Sequence, residues 1–498
     1  MTINPGQMPR IGSVDDRFQS YNIEMVEVTG GRFWKPYATP VEASATKPPN
    51  GNQPAGMDPS LYQYRSPIDL TNPRLRELAA ALGPAYIRVS GTWANTTYFH
   101  DSDDPAPASP PHGFNGILTR SQWRGVVEFA NFANAEVVTS FAISPGTRDS
   151  SGVWTPNQAL QLANYTKSIG GHIAAAEYMN EPNIAEIGGA PKGYDAAAYA
   201  RDVEVFRRFA KSALPGMAFL GPGAVGEGTL MTASPFHSLS SADLLTATGP
   251  VFDVISYHSY GAVSSRCGGF GGPATTSADA ALSDEWLSRP GKIEDFYAGI
   301  RDRFEPGKPI WNSETAQAAC GGDRWASTFL DSFRYLSQLG TLAQRGVQVN
   351  IYNTLAASDY GLLDEKTYAP RPNYWAALLW RKLMGVTVLD PGSSPTTSFH
   401  IFAQCMRNWP GGVTVLVINA SNDTSQTLDI PEAFERFSLT AQNLQDKHVQ
   451  LNSVELQLGT DDSLPKLAGQ STKAGPVSFA PASITFLAIK QANNASCR

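Results

Sequence analysis

The run AAAEYMNEPN leaves Asn180 and Glu181 at the end of an apolar stretch, and much later KPIWNSET brings Glu314 to the same kind of boundary. Two acids, each closing a short run that reads as a parallel strand, form the pair that cleavage of a glycosidic bond uses. One protonates the leaving oxygen, and the other attacks the anomeric carbon or activates water. A lone glutamate at a strand end more often serves a loop ion pair. The amide of Asn180 changes that weighting, because it can hold the sugar hydroxyl beside the reacting carbon.

Such a pair needs a frame that brings distant strand ends together. Apolar runs with turn signals recur between segments of helical period, the alternation of parallel α/β structure. Strands are expected at 19–26, 85–90, 136–143, 173–180, 217–220, 252–258, 308–313 and 348–353. Amphipathic helices are expected at 72–82, 121–133, 156–169, 195–213, 291–304, 324–344 and 373–384, with starts at Ser121 and at Thr155-Pro156. Eight strands with helices between them predict a (β/α)8 TIM barrel, whose functional residues sit at the C-terminal strand ends. Glu181 then follows the fourth strand and Glu314 the seventh. Carboxyl groups about 5–5.5 Å apart would make Glu314 a nucleophile and Glu181 an acid/base, with retention at the anomeric carbon.

Beyond 386 the pattern changes to short strand-like runs such as FHIFAQCM, GVTVLVINA and SITFLAIK, parted by Pro, Gly, Ser and Asn, which predicts an antiparallel β-sandwich. The expected domains are therefore a barrel over 15–385 and a sandwich over 386–498, which residues 1–14 could join. The Pro/Gly/Asn-rich stretch 40–62 reads as an insertion over the barrel mouth or as a linker.

These residues reach a resemblance. AEYMNEPN with WNSET resembles the acid/base and nucleophile signatures of the glycoside hydrolase clan with (β/α)8 barrels. RVSGTWANTTYFHD, QWRGVVEFANFAN, ISYHSY and DYGLLDEKTYAPRPNYWAALLWRKLMGVTVL are similar to segments of family 79, the β-glucuronidase and heparanase family. The resemblance covers roughly residues 15–385. It implies that Glu24 grips hydroxyls of the sugar before the scissile bond, that Thr92 is a site residue of the second strand, and that His258 and Tyr260 stand near the nucleophile. Tyr260 would then hydrogen-bond Glu314, and Tyr360 would help hold a uronate. Each of these also has a plainer reading, as a strand-end ion pair, a core histidine or a residue lining the barrel mouth. Glu177 is expected as a structural partner of Arg88. The family places Tyr-Gly-Gly after the nucleophile to bind the uronate carboxylate. This chain reads AACGGDR there, so Gly321 and Gly322 keep the amides, the aromatic place falls to Ala319 or Cys320, and Asp323 adds a negative charge. The resemblance thus implies a retaining, exo-acting β-glucuronidase. A neutral-sugar β-glycosidase on the same barrel is the alternative, and a carbohydrate-binding protein without activity is the third reading.

Composition narrows the partners. With 42% hydrophobic and 17% charged residues the chain must build packed cores. A net charge of −7 and the lack of any basic cluster longer than Arg381-Lys382 argue against nucleic acid and anionic membranes, and against endo-cleavage of long acidic chains. No apolar stretch is long enough to span a bilayer. The N-terminus has no basic flank or apolar core of a secretory signal, which fits either a cytoplasmic protein or a mature secreted form. The four cysteines form no metal-ligand spacing, so neither metal nor cofactor is expected. They are free thiols, or Cys267 and Cys320 join two Gly-rich loops as a disulfide while Cys405 and Cys497 fall in the tail.

Overall fold

The computed structural model describes residues 1–37, 58–228, 238–270, 275–392 and 396–498. The insertion at 40–62 lies outside the described residues as far as 57. Eight parallel strands close into a barrel. They are β1 (Gln19–Asn22), β2 (Ala85–Val89), β3 (Ala135–Ser140), β4 (Ile173–Glu177), β5 (Ala218–Val225), β6 (Val254–Tyr260), β7 (Ile310–Ala316) and β8 (Val349–Tyr352). The helices are α1 (Met25–Thr29), α2 (Pro73–Ala81), α3 (Arg120–Phe132), α4 (Asn157–Ser168), α5 (Ala196–Ala213), α6 (Ser241–Thr248), α7 (Asp284–Phe304), α8 (Phe329–Gln344) and α9 (Pro372–Leu383).

Local chemistry moved several boundaries. The first strand stops at Asn22 because Glu24 and Glu27 form a reciprocal capping box that starts α1, although IEMVEV reads as a strand. A second box, Thr119 with Gln122, starts α3 before Ser121. Helix α7 begins at Asp284, seven residues ahead of the expected 291, because Ser283 caps it and Pro290 is carried inside the helix. Helix α6 had no strong apolar stripe to betray it, and Ser240 caps it through the Asp243 amide.

The barrel interior is built in rows of period two. Its lower row is apolar: Val138, Ala175, Leu220, Val254, Trp311 and Val349 pack as one cluster. Two residues further along their strands, Ala175, Val254 and Trp311 give way to Glu177, Ser256 and Ser313, which are all buried. On β7 the next residue should then point outward. The pairing slips there, so that Tyr257 faces Asn312 but His258 faces Glu314. The extra residue is a bulge, and it turns Glu314 inward beside Ser313.

The strands of the tail are β9 (Met384–Leu389), β10 (Phe399–Met406), β11 (Val413–Asn419), β12 (Gln426–Ile430), β13 (Phe434–Thr440), β14 (Gln450–Leu451), β15 (Val454–Glu455), β16 (Gln470–Thr472), β17 (Gly475–Phe479) and β18 (Ser483–Ile489). The strand Arg10–Ser13 pairs with β9 at the edge of a nine-stranded antiparallel sheet, and β12 with β17 forms a second sheet. Alternation divides β10 between two cores. Ile401 and Ala403 pack with Leu428 and Phe479 between the sheets, while Phe402 packs toward the barrel helices. Helix α8 carries Gly340 at that crossing, where a Cβ would lie 2.3 Å from the Phe402 ring. The first turn of α8 has no side-chain cap. The sandwich supplies one: Phe329 N–H and Leu330 N–H donate to the carbonyls of Asp446 (3.0 Å) and Leu444 (2.6 Å). Cys405 is bonded to Cys497, and Cys267 to Cys320.

Candidate active site

Arg88 lies on β2 in the middle of an apolar run and is completely buried. A guanidinium there must find acceptors. Its Nη2 and Nε donate to Glu177 Oε2 at 2.7 and 3.3 Å, and its Nη1 donates to Glu314 Oε2 at 2.6 Å. Nη2 also reaches Asn180 Oδ1 at 2.9 Å, which turns the Asn180 NH2 group away as a donor. Glu177 takes further hydrogen bonds from Ser256 Oγ and Ser313 Oγ at 2.8 and 2.7 Å. Burial opposes its charge, but Arg88 and His258 prevail and hold its carboxyl far below the usual range. Glu177 is thus the fixed anion of the cluster.

Glu181 directly follows Asn180, in a left-handed conformation (φ 51°) before Pro182. That backbone is unfavourable for a non-glycine residue and costs on the order of 1–3 kcal/mol. Asn95 supports it by clamping the preceding residue on both sides. It accepts from Asn180 N–H and donates to Asn180 C=O, each at 2.9 Å. His258 Nδ1 meets Glu181 Oε1 at 3.1 Å and lies 3.8 Å from Glu314 Oε2. Its Nε2 faces Glu177 Oε1 at 3.5 Å and Arg88 Nη2 at 3.1 Å. Burial and the nearby Arg88 disfavour a charged imidazole, but the field of Glu314, helped by Glu177, outweighs them and raises it to about 9. Burial, with the charge of Glu314 behind it, pushes the Glu181 carboxyl up. Two cations, Arg88 and His258, then balance two anions, Glu177 and Glu314, and Glu181 can keep its proton.

Tyr260 donates to Glu314 Oε1 at 2.5 Å, and Asn353 Nδ2 donates to the hydroxyls of Tyr260 (3.1 Å) and Tyr360 (3.4 Å). Burial and nearby carboxylates hold both phenols protonated. Glu24 is buried at the start of α1, and its Oε2 has no hydrogen-bond partner among the described residues. Burial and Glu314 raise its carboxyl well above the usual range. Gly91 makes room for it, since a Cβ there would fall 1.5 Å from Glu24 Oε2. Glu181, His258 and Glu314 each have a ligand atom within 4.8 Å of the others, a spacing that a cation could also use.

Of the residues singled out in the sequence, Asn180, Glu181, His258, Tyr260, Glu314 and Tyr360 share this network, with Glu24 beside it. Thr92 follows Gly91 and is half-buried, outside these hydrogen bonds. Gly321 (φ 83°) passes against Trp34 and Ser358, and Gly322 (φ 84°) against Tyr360, where a Cβ would lie 3.2 Å from Tyr360 Cβ. The disulfide fixes Cys320 just before them. Asp323 follows, buried, accepting from Ser265 N–H at 2.9 Å. Sequence reasoning gave Arg88 only to Glu177, and it overlooked Asn95 and Asn353. Asn353 had a signal, as a polar residue at the end of the eighth strand run.

Comparison with known proteins places this geometry. The model of the glycosyl hydrolase family 79 N-terminal domain matches residues 64–340. Heparanase-like protein 1 of Arabidopsis thaliana is 28% identical over 396 residues, covering 75% of this chain and 69% of that one. Baicalin-β-D-glucuronidase of Scutellaria baicalensis is 26% identical over 468 residues, covering 85% and 82%. The structure of a 4-O-α-L-rhamnosyl-β-D-glucuronidase from Fusarium oxysporum 12S superposes with a TM-score of 0.65 at 14% identity, over 98% of this chain and 100% of that one, a likeness of fold.

Proposed function

The chain is a glycoside hydrolase and belongs to glycosyl hydrolase family 79, and from that membership we propose that it is a retaining, exo-acting β-glucuronidase. The carrying observation is the buried pair itself: an oxygen of Glu181 and an oxygen of Glu314 within 4.8 Å of each other. That spacing leaves little room for the intervening water of an inverting enzyme. Glu314, held by Arg88 and Tyr260, attacks the anomeric carbon while the proton of Glu181 passes to the leaving oxygen. The aglycone departs and a glycosyl ester on Glu314 remains. Glu181, now a carboxylate, takes a proton from water, whose oxygen attacks the same carbon and frees Glu314. Asn180 and Glu24 offer a donor and a carboxyl to the ring hydroxyls. The catalytic unit is residues 15–385, and 386–498 with residues 1–14 form the second.

For the sugar, the amides of Gly321 and Gly322 with the Tyr360 phenol support a uronate, as does the name of the Scutellaria relative. Cys320 is committed to Cys267 and offers no phenol, and the buried Asp323 favours a neutral sugar as the second reading. A panel of p-nitrophenyl β-glycosides decides between them: fastest turnover of the glucuronide is expected, and faster turnover of glucoside, xyloside or galactoside would overturn it. For the mechanism, Glu314→Ala with azide should yield the inverted glycosyl azide, and Glu181→Ala the retained one. Hydrolysis surviving in both variants would overturn the assignment.

A further inference from the structure

Strand β13 alternates Phe437 and Leu439, both buried, with Arg436, Ser438 and Thr440, which are half-buried on the opposite face. That polar row floors a cleft of about 510 Å³ on the sandwich, in a part of the chain that holds none of the site residues above. Gln470 of β16 lines it on one side, and the turn Asn452-Ser453 between β14 and β15 lines it on the other. Both turn residues are left-handed (φ 50° and 69°), as a two-residue hairpin of matched twist requires.

The walls are held in place. Asn452 Oδ1 accepts from Ser438 N–H at 2.9 Å, while its Nδ2 donates to the carbonyls of Arg436 (3.0 Å) and Ala468 (3.2 Å). Arg436 is held too: Nε donates to Ser438 Oγ at 2.8 Å, Nη2 donates to Ser478 C=O at 3.0 Å, and its guanidinium lies 5.4 Å from the Phe479 ring centre. Yet among the described residues no carboxylate is within ion-pair distance of it. Its neighbour Glu435 is paired with Lys490 at 2.7 Å instead. Burial alone lowers the Arg436 guanidinium, with no acid offsetting it. A cation half withdrawn from water without a counter-charge is costly, and a planar fork fixed in this way matches a carboxylate in two-point contact. The hydroxyls of Ser438, Thr440 and Ser453 and the amide of Gln470 are the groups that pair with sugar hydroxyls.

We propose that this cleft is a second carbohydrate site, which binds a uronate residue of an acidic polysaccharide through Arg436. The choice of a uronate rests on the glucuronidase reading; the cleft does not. Holding the polymer on the sandwich would raise the concentration of chain ends at the barrel mouth.

The test is affinity electrophoresis in the Glu314→Gln background, so that the gel polymer is not degraded, with hyaluronan as the unsulfated glucuronate-bearing probe and dextran as the neutral one. The parent should be retarded by hyaluronan and not by dextran. Retardation should weaken at least threefold in Arg436→Met and in Gln470→Trp, which fills the cleft from an exposed strand position. In the active enzyme both substitutions should leave hydrolysis of the small p-nitrophenyl substrate unchanged. An unretarded parent, equal retardation by dextran, or full retardation in both variants would overturn the proposal. Should the glycoside panel favour a neutral sugar while Arg436→Met still abolishes hyaluronan retardation, the sandwich site stands and the glucuronidase reading falls.

Discussion

Replacing Arg88 with methionine asks whether the buried cluster is one charge-balanced unit or a set of separate contacts. The guanidinium serves Glu177, Glu314 and Asn180 at 2.7, 2.6 and 2.9 Å, and methionine fills much of its volume while donating nothing. Two carboxylates would then face a single imidazolium. Breaking a buried ion pair by removing one partner costs about 3–5 kcal/mol, and urea denaturation of Arg88→Met should show a loss of that size. Most of it should trace to Glu177, whose side chain is 1% exposed, against 6% for Glu314. Adding Glu177→Gln removes the uncompensated charge and keeps an acceptor for Ser256 and Ser313. It should therefore return roughly 1–3 kcal/mol of that stability. Activity should not return, because Glu314 Oε2 still lacks its donor. A hydrogen bond to a charged group is worth about 1.5–3 kcal/mol, so kcat/KM on the preferred p-nitrophenyl glycoside should stay down by roughly 10- to 150-fold. An Arg88→Met protein within about 1 kcal/mol of the parent, or a double variant less stable than the single one, would mean that the cluster is not a charge-balanced unit.

The His258 imidazole is raised from 6.5 to about 9, so the folded state holds that proton more tightly than the unfolded chain. Its contribution is full below pH 6.5 and should be lost as pH rises to about 9, a decline in urea midpoint that His258→Asn should flatten. Because the Glu181 carboxyl is pushed up and must be protonated to act as an acid, the basic limb of kcat/KM should lie above the ordinary carboxylate range, and Glu181→Gln should abolish that limb. Gly340→Val would drive a side chain into the Phe402 ring and should cost about 1–3 kcal/mol, read as a lowered midpoint for the whole chain. Serine at both Cys405 and Cys497, which close a separation of 92 residues, should remove up to about 4–5 kcal/mol and leave kcat unchanged at 25 °C.

The barrel was legible because short apolar runs bounded by turn signals recur between helical segments, and Glu181 and Glu314 because each closes such a run. Glu24 was legible as a residue but misplaced, since β-branched neighbours disguise a helix begun by a capping box. What no period can reveal is the slip between β6 and β7. Strict alternation from Trp311 would have turned Glu314 away from the interior, and only the bulge lets Ser313 and Glu314 face it together. Arg88 was visible as a charge in an apolar strand, but its second acceptor lies across the barrel. The strands of the tail from 434 to 440 and 470 to 479 were missed, because their half-exposed faces interleave polar residues at every other position.

The carbonyls of Leu444 and Asp446, which complete the first turn of α8, bear on how this protein could have been assembled. That helix begins a few residues after Gly321 and Gly322, so the last part of the chain finishes the segment that frames the barrel mouth. A chimera that grafts a relative's tail at residue 386 inherits a helix start made for other carbonyls. Barrel and tail would then have to descend as a single heritable unit, and a workable recombination seam must carry 321–345 and 440–446 from the same parent.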